Sequence, residues 1–530
     1  MKRLHKLTNW FLLILGLILT VVIIVVSLRS TRQLQMTGTT IALFIAFLAG
    51  MAALLLIPLR RRWVRWLSLV IILLMAFGLR LAWLMKTRSY PISDFYSLYT
   101  ASYKLFEGYN PFTTPGVVSP WMQNYFNTWP YQNGFVIFQA AVMRLIGTSR
   151  VFPMQFVSLL MSTASVGVTY LIGSALTRPR TGLVAAFMYA TYMPVIMMSS
   201  ALTNQTVATL SYLLAFWLLI RGQQLLDDKV AGKLRGWRDY VALYWRAALA
   251  GVFFAFGNAM RPLGLLILLA VGVFYVFYRL LFQHNNWGKI VHSLVFLLVI
   301  CGMYGASMTA TNTVITSRGW SPYRLVNRNP LWKLVTGLSS ESNGQFSSEL
   351  GRKVSAVPIG EKRNKVERQI IKDEIKDKKV VLNLFVTKFQ YFWGTSDDTA
   401  HWTINNPSAA YNDKTWLKKQ WLYKGLQGMQ WVTIFACFAL GLVALLKPWG
   451  RPLVASDLGI VFIIMWFAYV SVHLLIEIQL RYRFFITPIV IVVAAVGITA
   501  LVRALRYRSA LGENKENLIN KTLARGKHAA

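Results

Sequence analysis

Twelve apolar runs joined by short basic connectors decide what this chain can fold into. They occupy residues 10–26, 41–59, 66–85, 151–176, 183–199, 202–220, 247–260, 263–281, 291–311, 431–446, 458–475 and 484–501. A helix needs about 20 mostly apolar residues to cross the hydrocarbon core of a bilayer, so each run is a membrane-span candidate, the shorter ones with help from flanking residues. Composition points the same way. Of 530 residues, 55% are hydrophobic and 14% charged, against roughly 25% charged in an average soluble domain. So little charge leaves much of the surface to lipid.

The connectors orient the spans. Arg60, Arg61, Arg62, Arg65, Arg178, Arg180, the basic stretch 221–246, Lys447, Arg451 and the tail beyond Arg503 all fall on one side when twelve helices start from a cytoplasmic N-terminus, as the positive-inside rule expects. The net charge of +37, from 56 basic and 19 acidic residues, is therefore read as topology, with no nucleic-acid partner. The run at 10–26 is long for a cleavable signal and no small-residue cleavage site follows it, so it reads as a retained helix. Cys301 and Cys437 lie inside apolar runs and suggest neither a disulfide framework nor a metal site.

The expected fold is an all-α polytopic membrane protein of about twelve transmembrane helices. One further apolar segment, 134–147, is only about 14 residues long and reads as a re-entrant or juxtamembrane helix. The domain reading is two N-terminal helices over 1–65, then a transmembrane core over 66–311 that includes a first outer loop at 86–133. An extracytoplasmic loop subdomain follows over 312–430, then C-terminal helices over 431–504 and a cytoplasmic basic tail over 505–530. Within the subdomain, 361–384 has the pattern of an amphipathic helix, with Val366, Ile370, Ile371 and Ile375 on one face.

Few residues are left to carry chemistry. The chain has no phosphate-cradling glycine loop, no serine nucleophile elbow, and six histidines without metal-ligand spacing. Asp94 follows the third run; Ser93 or Asp94 caps the next helix, or Asp94 is a partly desolvated carboxylate able to take a proton. Arg481 and Arg483, in the stretch Glu477-Ile478-Gln479-Leu480-Arg481-Tyr482-Arg483, sit on the outer side against the positive-inside trend. A cation there wants an anion, a lipid headgroup or a substrate phosphate, and guanidinium matches phosphate oxygens bidentately. Glu477 is a salt-bridge partner or a direct participant. Arg261, before Pro262, is an interfacial snorkeller or a further phosphate contact. Tyr131, in Pro130-Tyr131-Gln132-Asn133 after Trp121 and Trp129, belongs to an interfacial aromatic belt or stacks on a sugar. Asp397-Asp398 reads as a solvated acidic turn, with cation binding as the weaker alternative.

An Asp soon after an early span, a Pro-aromatic turn closing the first outer loop, an outer Arg-Pro and a late Glu-x-x-x-Arg-Tyr near Pro488 together resemble the GT-C superfamily of multi-span glycosyltransferases. That superfamily includes the protein O-mannosyltransferases and the aminoarabinose transferases. Glu107-Gly108-Tyr109-Asn110-Pro111 and Leu334-Val335-Thr336-Gly337-Leu338 are similar to outer-loop stretches of bacterial members. The likeness covers the chain beyond about Trp66, and the two preceding helices look like an addition.

The resemblance implies a GT-C-like fold and Asp94 as catalytic base or acceptor-orienting group. Arg481 with Tyr482, Arg483 and Arg261 would surround the donor phosphate, with Glu477, Glu107 and Tyr131 in support. It implies a polyprenyl-phosphate sugar as donor, an extracytoplasmic acceptor and inverting single displacement at the outer face of a plasma membrane. Phe95 after Asp94, and Tyr131 after Pro130, depart from the paired-acid and paired-proline versions of these motifs. That departure leaves the branch and any divalent cation open. A flippase for a lipid-linked sugar, or a polysaccharide polymerase or ligase, is the alternative; a flippase predicts internal repeats and mid-membrane charges, and no repeat is visible.

Overall fold

The computed structural model describes residues 2–34, 36–228, 236–282, 287–404, 415–446 and 457–526, and among these every regular element is helical. Lys447 and Arg451 lie outside the described residues, as does part of the 221–246 connector. The order begins α1 (Lys2–Arg32), α2 (Gly38–Leu56), α3 (Arg62–Thr87), α4 (Ser93–Phe106), α5 (Pro120–Thr128), α6 (Asn133–Ile146) and α7 (Val151–Leu176). It continues with α8 (Pro179–Thr191), α9 (Met193–Met198), α10 (Asn204–Asp228), α11 (Trp237–Met260), α12 (Gly264–Phe274) and α13 (Trp287–Ser317). The stretch after α13 holds α14 (Trp332–Leu338), α15 (Ser348–Ser355), α16 (Glu361–Glu374), α17 (Lys378–Gly394) and α18 (Thr399–Thr403), and the chain closes with α19 (Thr415–Leu446), α20 (Ile460–Leu475) and α21 (Arg483–Gly526).

Among the described residues nine helices are long and apolar enough to cross a membrane. The chain is a multi-pass membrane protein. The other three expected spans fall on α8 with α9, on α10 and on α20. The run at 183–199 is not one helix: Pro194 has no N–H to give, Tyr192 turns extended (ψ 118°), and α8 gives way to the short α9. Buried side chains from elsewhere meet the freed backbone groups. Arg80 Nη1 donates to the Ala190 carbonyl at 3.2 Å, Gln430 Nε2 donates to the Thr191 carbonyl at 2.8 Å, and Gln430 Oε1 accepts from the Met193 amide. Segment 134–147 is helical as α6; fourteen residues rise only about 21 Å, short of the ~30 Å core. It pairs instead with α4, where Ser102 donates to Gln139 at 2.8 Å and Arg144 donates to the Leu105 carbonyl at 3.0 Å.

The packing centre is α21, whose stretch 486–496 is almost wholly buried. It lies so close to α19 that a Cβ at Gly497 would sit 2.3 Å from the Cys437 carbonyl oxygen, the small-residue contact that lets membrane helices meet backbone to backbone. At one end of the bundle Arg180 and Arg506 donate to the Ile57 and Leu55 carbonyls, gathering basic positions beside the α2–α3 connector. The residues singled out for chemistry lie at or beside other connections: α3–α4, α4–α5, α5–α6, α11–α12, α17–α18 and α20–α21.

Candidate functional site

Asp94 stands in the first turn of α4, but neither it nor Ser93 caps that helix. Ile92 holds the cap position with no side-chain bond, and Ser93 takes a left-handed φ of 51°, a strained setting for a non-glycine residue. The Asp94 carboxylate is turned to another segment altogether: its Oδ2 accepts from Arg481 Nη2 at 2.9 Å, across 387 positions of chain. Arg481 lies in the 3-10 turn Leu480–Tyr482 between α20 and α21. Its guanidinium is buried over the Trp402 ring at 4.1 Å and 5.1 Å from the Phe95 ring, where aromatic faces favour a cation. Its Nε donates to Gln479 Oε1 at 2.6 Å.

Gln479 extends the chain of partners. Its amide donates to Glu477, and Glu477 accepts from Lys333 Nζ at 2.5 Å. The result is a continuous series, Lys333, Glu477, Gln479, Arg481, Asp94, built from α14, the α20–α21 connection and α4. Burial by itself would raise the Glu477 carboxyl, but Lys333 and Gln479 hold it below the ordinary carboxylate range. Lys333 in turn is held above its ordinary value against the effect of burial, by Tyr482 and Glu477. Both groups are thus fixed in their charged forms.

Arg261 joins from the α11–α12 connection. It lies 4.9 Å over the Tyr482 ring, and its Nη1 reaches Asn204 Oδ1 at 3.4 Å. Among the described residues no carboxylate lies within ion-pairing distance of it. Tyr131 faces the same group: burial pushes its hydroxyl up to about 12, with Lys333 pulling the other way and Tyr482 and Glu477 close enough to be felt. Tyr125, on α5, is raised further by burial and then by Asp94; its hydroxyl accepts from Gln132 Nε2 at 3.0 Å, and Gln132 accepts from Asn204 at 3.3 Å.

Six of the singled-out residues therefore meet: Asp94, Arg261, Glu477, Arg481, Tyr482 and Tyr131. Four do not join them. Arg483 is sealed in the interior, donating to the Thr395 carbonyl at 2.9 Å and to Asp397 Oδ2 at 3.3 Å; a guanidinium so committed has no free edge for a phosphate. Asp397 is accordingly a buried ion-pair partner and not a solvated turn, and burial lifts its carboxyl to about 6 against the pull of Arg483. Its neighbour Asp398 carries a buried Oδ1 without a partner among the described residues. Glu107 pairs with Lys104 at 2.9 Å on the exposed end of α4, away from this series. Lys333, Gln479, Tyr125 and Gln132 were missed by sequence reasoning. Lys333 directly precedes the quoted stretch Leu334–Leu338, and Gln132 lies within the quoted Pro130–Asn133 stretch, so proximity to those motifs was the available signal.

Asp94 and Asp397 each face a guanidinium through one carboxylate oxygen, and among the described residues no three metal-ligating side chains cluster.

No family model and no curated protein matches the chain. Among solved structures it is similar to the Archaeoglobus fulgidus oligosaccharyltransferase in the apo form, at 13% identity and a TM-score of 0.49, over 86% of this chain and 52% of that one. It is likewise similar to the archaeal oligosaccharyltransferase AglB from Archaeoglobus fulgidus in complex with an inhibitory peptide and a dolichol-phosphate, at 13% identity and a TM-score of 0.47, with the same coverage. The chain spans about half the length of these proteins.

Proposed function

We propose that this chain is a membrane glycosyltransferase of the GT-C type, moving a sugar from a polyprenyl-phosphate donor to a hydroxyl acceptor at the outer face of a plasma membrane, with both termini cytoplasmic. The observation that carries the reading is the Asp94–Arg481 contact at 2.9 Å. It joins the early acidic motif to the late Arg-Tyr motif, two of the elements on which the family resemblance rests. The basic cluster around the α2 end, made by Arg180 and Arg506, supports the orientation.

The ion pair revises the division of labour that the motifs suggest. Arg481 is buried and stacked, so it serves Asp94: its 2.9 Å contact fixes the direction of the carboxylate. Asp94, with a side chain 37% exposed, is open to an acceptor. It takes the hydroxyl proton as the acceptor oxygen bonds to the anomeric carbon and the bond from that carbon to the phosphate oxygen breaks. Attack opposite the leaving group inverts configuration. The electron pair leaves with the phosphate, whose growing charge needs preorganised cations. Two carboxylates, Asp94 and Glu477, stand against three cations, Arg481, Lys333 and Arg261, so one positive charge is left over. Arg261 carries it and is the phosphate-holding group in this mechanism.

The test is transfer from a labelled polyprenyl-phosphate sugar by purified protein, with native membrane extract as acceptor, beside Asp94→Asn. We expect the variant to fold, to bind donor and to lose at least about 100-fold in turnover, the usual scale for removing a general base. Normal turnover by Asp94→Asn removes the carboxylate from the mechanism. Donor binding without transfer by the wild type makes a flippase the better reading, and chain-length growth in the product points to a polymerase or ligase.

A further inference from the structure

A buried lysine outside the reacting cluster binds the main chain that leads into it. Lys388, on α17, is 1% exposed. Its ammonium donates to three main-chain carbonyls, Gly337 at 2.5 Å, Leu474 at 2.7 Å and Ile476 at 2.9 Å. An ammonium has three N–H donors and no acceptor, so each donor has its own carbonyl. The acceptors come from two places far apart in sequence, the last turn of α14 and the end of α20, where unpaired carbonyls and the helix dipole favour a cation. Burial pushes the amine down, and Glu477 is the charged side chain that opposes this.

What lies next to the clamp gives it meaning. The residue after Ile476 is Glu477, whose amide donates to the Lys333 carbonyl at 2.9 Å, while the Ile478 amide donates to the Gly344 carbonyl at 2.9 Å. Gln479 and Arg481 follow within one turn. The path from α20 to Arg481 is therefore held by the outer segment through Lys388, Lys333 and Gly344. Gly344 has φ +73° and lies so close that a Cβ there would be 2.6 Å from Lys388 Cδ and Cε.

We propose that Lys388 is a positioning residue: by binding the carbonyls of α14 and α20 it fixes the 476–482 segment and so sets the Asp94–Arg481 geometry from the outer subdomain. Its kinetic consequence rests on the transferase reading; its structural consequence does not. Arg261 touches the clamped segment only through the Tyr482 ring and is otherwise held by Asn204 and the α11–α12 connection, so donor binding depends on the clamp less than turnover does.

The experiment uses the full chain in lipid nanodiscs with two variants, Lys388→Met, which removes the donors, and Gly344→Ala, which displaces the lysine while keeping its charge. Hydrogen exchange is followed at the Glu477 and Ile478 amides, with kcat per folded enzyme and the Kd for labelled polyprenyl-phosphate sugar. We expect exchange to quicken at least about tenfold and kcat to fall about 10- to 100-fold, since a displacement of about 1 Å costs up to ~100-fold. Donor Kd should change less than kcat does, the pattern of an interaction that acts in the transition state more than in donor binding. Unchanged exchange in a variant that folds overturns the clamp. Faster exchange with unchanged kcat overturns the positioning role, as does a kcat loss that only follows the folded fraction. A wild type that transfers no sugar defeats the transferase reading, and the exchange data then decide the clamp alone.

Discussion

Arg481 owes its position to three contacts of different kinds: the Asp94 carboxylate, the Gln479 amide oxygen and the Trp402 face. Lysine can replace the charge but neither the planar stack nor the second donor direction, so Arg481→Lys should behave almost as Arg481→Ala. Both are expected to lower kcat about 10- to 100-fold with donor affinity retained, and a double-mutant cycle with Asp94→Asn should show strong non-additivity. Additive losses would separate the two residues. Asp397 offers a pH test. Its carboxyl sits at about 6 in the fold against an ordinary value of 3.8, so between these values the folded state binds the extra proton and stability falls as pH rises. Compared with Asp397→Asn, the wild type should lose thermal stability as pH goes from about 4 to about 6 and then level off; parallel melting curves across that window would contradict this. The sequence named most of the charged cluster because outer-face cations stand out against the positive-inside pattern. It grouped Arg483 with Arg481 because two residues of spacing say nothing about which way a 3-10 turn directs each side chain. Lys333 and Lys388 were lost in a segment crowded with lysines, where only burial sets them apart.

At the scale of elements, hydrophobic runs are legible in composition, and each expected span has helix at its place. The break between α8 and α9 was not legible, because the groups that make it tolerable, Arg80 and Gln430, come from helices distant in sequence. Gln430 both accepts from Met193 and donates to Thr191, so Gln430→Leu leaves two buried backbone groups unmet. Each such loss costs about 1–3 kcal/mol. The variant should melt several degrees lower in detergent with its helix content preserved, and a Tm equal to the wild type would show that the gap is bridged otherwise. The α4–α6 pair presents the same lesson from the other side. The length of segment 134–147 argued against a span, whereas its partner α4 was hidden because Ser102 and Gln139 match only in three dimensions.

At the scale of the molecule, the proposed orientation puts 312–430 outside and both termini within. Single cysteines at Lys362, in the outer segment, and at Arg60 should report this once Cys301 and Cys437 are replaced. A membrane-impermeant maleimide added to intact cells should label the first and spare the second; the reverse pattern inverts the topology. The distance in sequence between the two halves of the ion pair also has a consequence in time. Asp94 is made early, and Arg481 follows 387 residues later, about 20 to 80 s of synthesis at ~5–20 residues per second. Throughout that interval the growing chain is inserted helix by helix with its carboxylate unanswered. On the proposed mechanism catalytic competence then arrives in a single late event, when the last helix enters the bundle. A nascent chain cut short before that event would hold the carboxylate without the guanidinium that directs it.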